Sequence, residues 1–249
     1  MRTSIKSILK NYLLRNHPAW LAAYAFYLKP SLRASWCEPF NGQQGRQALF
    51  RELISKIQFQ MIVETGTFHG TTTEFMAKEA GLLVCTVEAE PLHYHYARLR
   101  LRGKKFIRLE LGDSREFITN LAHDPLLPKH GVFCYLDAHW RPDLPLRQEV
   151  ELVTRHWSGV VIMIDDFRVP GDEGYYYDDY GPGKKLCLEY LEPLSQWGLT
   201  AFFPTLPSSQ ETGGKRGCVI LADEGLAARL KGIQTLRMAQ MSGSGRPRL

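Results

Sequence analysis

The chain has 249 residues, 44% hydrophobic and 23% charged, and a formal charge of +5, enough for one large α/β domain with a small appendage. That charge sits at the ends: Arg2, Lys6, Lys10, Arg15, Lys29 and Arg33 open the chain without an acid, and Arg229, Lys231, Arg237, Arg246 and Arg248 close it in the same way. These leave 20 basic against 26 acidic residues between them, a balance of −6, which excludes a basic body built to track phosphates and with it a nucleic-acid partner.

In chain order, residues 3–28 read as one or two helices interrupted at His17-Pro18. The apolar run at 19–28, AWLAAYAFYL, is too short to cross a bilayer. With its basic residues, the 1–45 segment reads as a helical arm or lid that packs on the body or makes peripheral membrane contact. A helix over 46–56 follows, with Leu49, Phe50, Leu53 and Ile54 on one face. Strands are then expected at 60–64, 82–90, 105–111, 131–137 and 159–165, separated by helices over 71–80, 91–102, from Ser114, and 146–157. Strands alternating with helices imply a parallel sheet covered on both faces. After a loop over 167–182, a helix over 184–194 and two strands, 199–204 and 217–223, close the main domain (46–235) as an antiparallel pair. Residues 236–249 read as a flexible tail. The five cysteines (Cys37, Cys85, Cys134, Cys187 and Cys218) are widely spaced with no C-x-x-C, as reduced thiols of a cytoplasmic protein would be.

Four constellations fall at the carboxyl ends of the expected strands. Glu64, Gly66, Thr67, Gly70, Thr71 and Thr72 form a glycine-bearing turn from the first strand into a helix. There the backbone can approach a ligand closely and the helix offers free N–H groups to a nucleotide-like molecule. Its G-x-x-x-G spacing is not that of dinucleotide binders, and a plain strand–helix turn is the alternative. Glu88, after the second strand, is placed to accept from ribose hydroxyls, with Glu90 as a competitor. Asp113 and Ser114 follow the third strand; either could meet an adenine amine, or Ser114 could simply cap the next helix. Asp137 ends the fourth strand, where it also borders the cofactor side, and Asp165 and Asp166 end the fifth. Three carboxylates converging on one edge repel unless a hard divalent cation offsets them.

On these motifs the segment 60–166, a little under half the chain, resembles the metal-dependent O-methyltransferases of the catechol and macrocin type. VETGTFHG resembles their cofactor loop, TVEAEP their ribose acid and LGDSREFI their adenine turn, and the 28- and 29-residue intervals from Asp137 to Asp165 and Asp166 are similar to their metal-ligand spacing. The resemblance implies a class I, Rossmann-like sheet of five parallel strands plus a terminal antiparallel pair, with N-terminal helices. It implies S-adenosylmethionine (SAM) as cofactor, Mg²⁺ (or Mn²⁺ or Ca²⁺) on Asp137, Asp165 and Asp166, and methyl transfer to a hydroxyl of a small molecule such as a sugar, a polyketide or another natural product. A metal-independent methyltransferase, another nucleotide-binding enzyme on the same fold and a non-catalytic binding protein are the alternatives, and self-association into a homo-oligomer is compatible with all of them.

The catechol enzymes carry a lysine base just after the first metal aspartate. Here the run is Asp137-Ala138-His139-Trp140-Arg141. Arg141 cannot lose its proton at working pH, so the base role falls to His139 or to solvent, and Arg141 is expected to pair with an acidic substrate. A buried structural role for His139 stays open. Residues 168–183, with Tyr175, Tyr176, Tyr177 and Tyr180, read as a substrate lid whose rings face the acceptor.

Overall fold

A computed structural model of the chain describes residues 13, 16–29, 38–139, 143–192 and 194–239. Cys37 and Arg141 lie outside the described residues. Eight strands form one sheet: β1 (Met61–Thr65), β2 (Leu83–Glu88), β3 (Ile107–Leu111), β4 (His130–Leu136), β5 (Ser158–Ile164), β6 (Leu199–Pro204), β7 (Val219–Asp223) and β8 (Leu236–Met238). Their order is β3-β2-β1-β4-β5-β7-β6-β8. The first five are parallel, and β7 enters antiparallel between β5 and β6.

The helices are α1 (Pro18–Leu28), α2 (Gln44–Lys56), α3 (Thr71–Ala80), α4 (Pro91–Arg100), α5 (Ser114–His123), α6 (Leu146–His156), the single turn α7 (Leu188–Leu191) and α8 (Glu224–Leu230). Strand periodicity divides the core. Met61, Val63, Val132, Cys134, Val160 and Ile162 face α5 and α6, which contribute Phe117, Leu121, Val150 and Val153. Ile62, Val84, Phe133, Val161 and Met163 face α2, α3 and α8, through Leu49, Phe50, Leu53, Met76 and Leu230. Strands buried on both faces are what a continuous apolar run in a parallel sheet requires. Helix α1 packs on α4, with Phe26 edge-on to Tyr96 at 5.3 Å between ring centres. Among the described residues no helix is long and apolar enough to cross a membrane.

Three segments differ from the sequence reading. Leu236–Met238, expected in the tail, pairs antiparallel with β6 and adds an eighth strand. The helix expected over 184–194 shrinks to one turn because the residues before it are drawn into the neighbouring loop: Arg168 N donates to Leu186 O at 2.8 Å and Leu186 N to Asp178 O at 3.0 Å. Helix α8 was not foreseen; Asp223 caps it by accepting from Leu226 N.

Candidate active site

The strand order reverses between β1 and β4, the position at which α/β sheets open a crevice beyond their carboxyl ends. Register brings the predicted residues to that edge, since Thr65 pairs with Leu136 and Leu136 with Ile164, so Gly66, Asp137 and Asp165 each follow directly. Gly66 has φ +85°, and a Cβ there would collide with the Asp137 carbonyl, so the two strand ends can approach only over a glycine. Gly70, at φ +76°, leads into α3 with no side-chain cap, which leaves the helix N-terminus without one of its usual acceptors.

The loop is braced from beneath. Glu64 is buried, and its Oε2 accepts from Thr73 Oγ1 at 2.5 Å and Thr86 Oγ1 at 2.6 Å, while Oε1 has no partner. Burial pushes its carboxyl up to about 7. Thr67 Oγ1 lies 2.6 Å from Thr86 Oγ1, and Thr72 Oγ1 accepts from Phe40 N at 3.1 Å. Glu88 accepts from Phe68 N at 2.7 Å and from Glu90 N at 2.9 Å. It therefore ties the glycine loop to the end of β2, and burial raises its pKa.

Asp113 turns out to be the helix cap. It accepts from Arg115 N at 2.8 Å and pairs with the Arg115 guanidinium, which holds its carboxyl below the usual range. The sequence placed the cap at Ser114; that residue is instead the first of α5 and is buried.

The aspartates separate into two roles. Asp165 is buried and paired with Arg46 of α2. Its Oδ2 accepts from Tyr135 Oη at 2.5 Å, and Asp166 N donates at 2.8 Å to Oδ1, the oxygen paired with Arg46. Burial opposes its ionisation, but the Arg46 charge outweighs that and holds the carboxyl below its ordinary range. Asp165 thus has its charge offset and both oxygens engaged by protein groups. Asp137 and Asp166 do meet, and His139 meets them. His139 Nε2 lies 3.7 Å from Asp137 Oδ1 and 3.8 Å from Asp166 Oδ2, and one ligand atom from each residue fits within 4.8 Å of the others. Burial, then the charges of Asp165 and Asp166, push Asp137 well above the usual carboxylate range. The other Asp166 oxygen pairs with Arg216, whose guanidinium also pairs with Asp178.

The 168–183 segment is pinned rather than free. Tyr176 N donates to Lys215 O, Gly217 N to Tyr176 O, and Asp172 accepts from Ser208 N at 2.7 Å. Tyr175, expected to face a substrate, is in the core with its hydroxyl donating to Leu206 O at 3.0 Å. Tyr176 is exposed and Tyr177 half-buried. Tyr180 Oη lies 2.8 Å from the His139 carbonyl, so this tyrosine reaches the acidic pocket by bracing its backbone. Arg46, Tyr135 and Arg216 were missed. Only Arg46 left a signal, a cation three and four residues before Leu49 and Phe50 on the apolar face of α2.

No family model matches the chain, and no curated sequence matches it. Solved structures do. An O-methyltransferase from Bacillus cereus in complex with S-adenosylhomocysteine is 16% identical, with 87% of this chain and 97% of that one covered at a TM-score of 0.52. The O-methyltransferase TomG from Streptomyces achromogenes, involved in tomaymycin synthesis and in complex with SAM, is 16% identical, with 87% and 95% covered at a TM-score of 0.52. The chain has the Rossmann-like class I methyltransferase fold that these structures share.

Proposed function

We propose that the chain methylates a hydroxyl of a small molecule using SAM, with a divalent cation at the acidic pocket. The observation that carries this reading is the meeting, across the β1–β4 crevice, of an uncapped helix N-terminus behind a glycine loop with a cluster of two half-buried carboxylates and a buried imidazole. The similar solved enzymes hold SAM or its demethylated product on the same fold, which supports the cofactor.

The residues suit the group. The α3 N-terminus suits a carboxylate, the unpartnered Glu64 Oε1 suits an ammonium, and the Glu88 carboxylate suits two ribose hydroxyls. Because Asp113 is engaged by Arg115, the adenine side is left to Ser114 and the adjoining backbone. When bound, SAM supplies an electrophilic methyl and the cation supplies Lewis acidity that lowers a hydroxyl's pKa and orients it. Asp137 and Asp166 provide the negative charge that calls for such a cation. Arg216 fixes Asp166 so that Oδ2 stays toward His139. The acceptor's proton leaves to His139 or to water, which reaches the pocket where the Asp137 side chain is 32% exposed. The acidic central body supports a small-molecule acceptor, and the role of TomG supports one of natural-product type.

Labelled SAM offered with a panel of sugars, catechols and polyketides tests the reading. SAM should bind by calorimetry without added cation, and transfer should stop in EDTA and resume when a divalent cation is restored. Full turnover in EDTA would leave a metal-independent methyltransferase, and a failure to bind SAM would overturn the reading altogether.

A further inference from the structure

We propose that the cation site of this chain is built from Asp137, His139 and Asp166 with Asp165 excluded, and that it takes a divalent transition cation in preference to Mg²⁺. The proposal rests on the metal part of the reading above. An acidic pair alone would not carry it; His139 does. Its side chain is 1% exposed, neither ring nitrogen has a hydrogen-bond partner, and Nε2 stands between one oxygen of each aspartate. A buried imidazole with no partner is costly unless something fills its lone pair.

The spacing suits one ion. Ligand atoms about 2.1 Å from a cation lie about 3.0 Å apart at an octahedral right angle and about 3.4 Å apart in a tetrahedron. The observed 3.7 and 3.8 Å need only a small closure from either value. Asp165 cannot compete, because entering the site would strip Arg46 of its buried counter-charge and Tyr135 of its acceptor. His139 also interacts electrostatically with Glu149, a buried carboxylate on α6.

Ligand chemistry then sets the cation. Sites made only of carboxylates and water suit Mg²⁺, Ca²⁺ and Mn²⁺, whereas imidazole suits the later ions, iron through zinc. Three protein ligands leave positions for acceptor oxygens and water. With the imidazole engaged, water at the exposed side of Asp137 is the remaining outlet for the acceptor's proton.

The test is a titration of the full chain with Co²⁺, Mn²⁺ and Mg²⁺. Co²⁺ should give visible ligand-field absorption and bind at least tenfold more tightly than Mg²⁺, and the Mn²⁺-loaded protein should show imidazole nitrogen coupling in pulsed electron paramagnetic resonance. His139→Gln should lose at least tenfold in Co²⁺ affinity while binding SAM as before. If that variant does not fold, the nitrogen coupling in the unmodified protein decides alone. Cation binding with no nitrogen coupling, or with Mg²⁺ favoured, overturns this assignment and leaves a metal-dependent enzyme standing. No cation bound at all, by calorimetry and elemental analysis, overturns the metal reading and this inference together.

Discussion

Arg46 and Asp165 stand 119 residues apart in sequence and form an ion pair whose side chains are 2% and 0% exposed. The pair fastens helix α2 to the carboxyl end of β5. It also withdraws from the acidic pocket the carboxylate that spacing alone had assigned to it. Arg46 donates in addition to the Arg216 carbonyl, so the same guanidinium holds the segment that positions Asp166.

Removing one partner of such a pair is costlier than removing both, because the survivor is left buried and uncompensated. Arg46→Met should cost about 3–5 kcal/mol, and Arg46→Met combined with Asp165→Leu should recover most of it. Urea unfolding of the two variants checks this. A single variant as stable as the parent would show that the pair does not hold α2 in place.

Gly66 and Gly81 both have positive φ, but only Gly66 lacks room for a Cβ. Gly81→Ala should therefore cost only about 1 kcal/mol of backbone strain and leave SAM binding intact. Gly66→Ala pushes against the Asp137 backbone, so it has to part the ends of β1 and β4, and SAM affinity should fall at least tenfold. Equal behaviour of the two in calorimetry would mean that the close approach of β1 and β4 does not shape the cofactor cleft.

Glu88 accepts from the loop N–H of Phe68, and the proposed function gives it the ribose hydroxyls as well. Glu88→Ala should weaken SAM binding by about 1–3 kcal/mol. Unchanged affinity in a folded variant would pass the ribose role to Glu90.

The inner strands were legible because they are largely apolar and stop at a glycine or an acid, as 61–65 does before Gly66 and 158–164 before Asp165. The placement of the glycine loop and Glu88 at the carboxyl edge of the sheet followed from position alone. The split between Asp165 and Asp166 did not, because adjacent residues at a strand end point to opposite sides, and the cations that engage them, Arg46 and Arg216, come from distant segments. The extended pairing of 184–187 was hidden for a similar reason. Its partners, Arg168 and Asp178, lie in a loop with no periodicity of its own.

The tyrosines of the 168–183 segment should separate by burial. Tyr175→Ser empties a core position and strands the Leu206 carbonyl, so it should cost about 3–5 kcal/mol, the range for deleting a buried aromatic ring. Tyr176→Ser should leave stability unchanged, since that ring is 63% exposed, and acceptor KM is the parameter it should raise. Denaturation midpoints and initial rates on the two variants distinguish an anchor from a contact residue. If Tyr176→Ser lowers SAM affinity instead, the segment borders the cofactor.

Glu64 gives the fold a pH dependence of its own. Its carboxyl titrates near 4.5 in the unfolded chain and is pushed up to about 7 in the fold by burial, against the pull of the Thr73 and Thr86 hydroxyls. Between those values the folded state binds more protons than the unfolded state, so its contribution to stability is complete below pH 4.5 and is lost as pH rises through 7. The loss is on the order of 3 kcal/mol at most. Glu64→Gln keeps the shape and removes the proton, so the difference in unfolding free energy between variant and parent should grow in the variant's favour across that window and then level off. Other groups cancel in that difference. The cationic SAM should reverse the preference by favouring the ionised carboxylate, so binding near pH 6.5 should release protons, read as a buffer-dependent enthalpy that Glu64→Gln abolishes. Parallel stability curves for the two proteins, together with a buffer-independent enthalpy, would show that Glu64 is ionised throughout and already has a partner for Oε1.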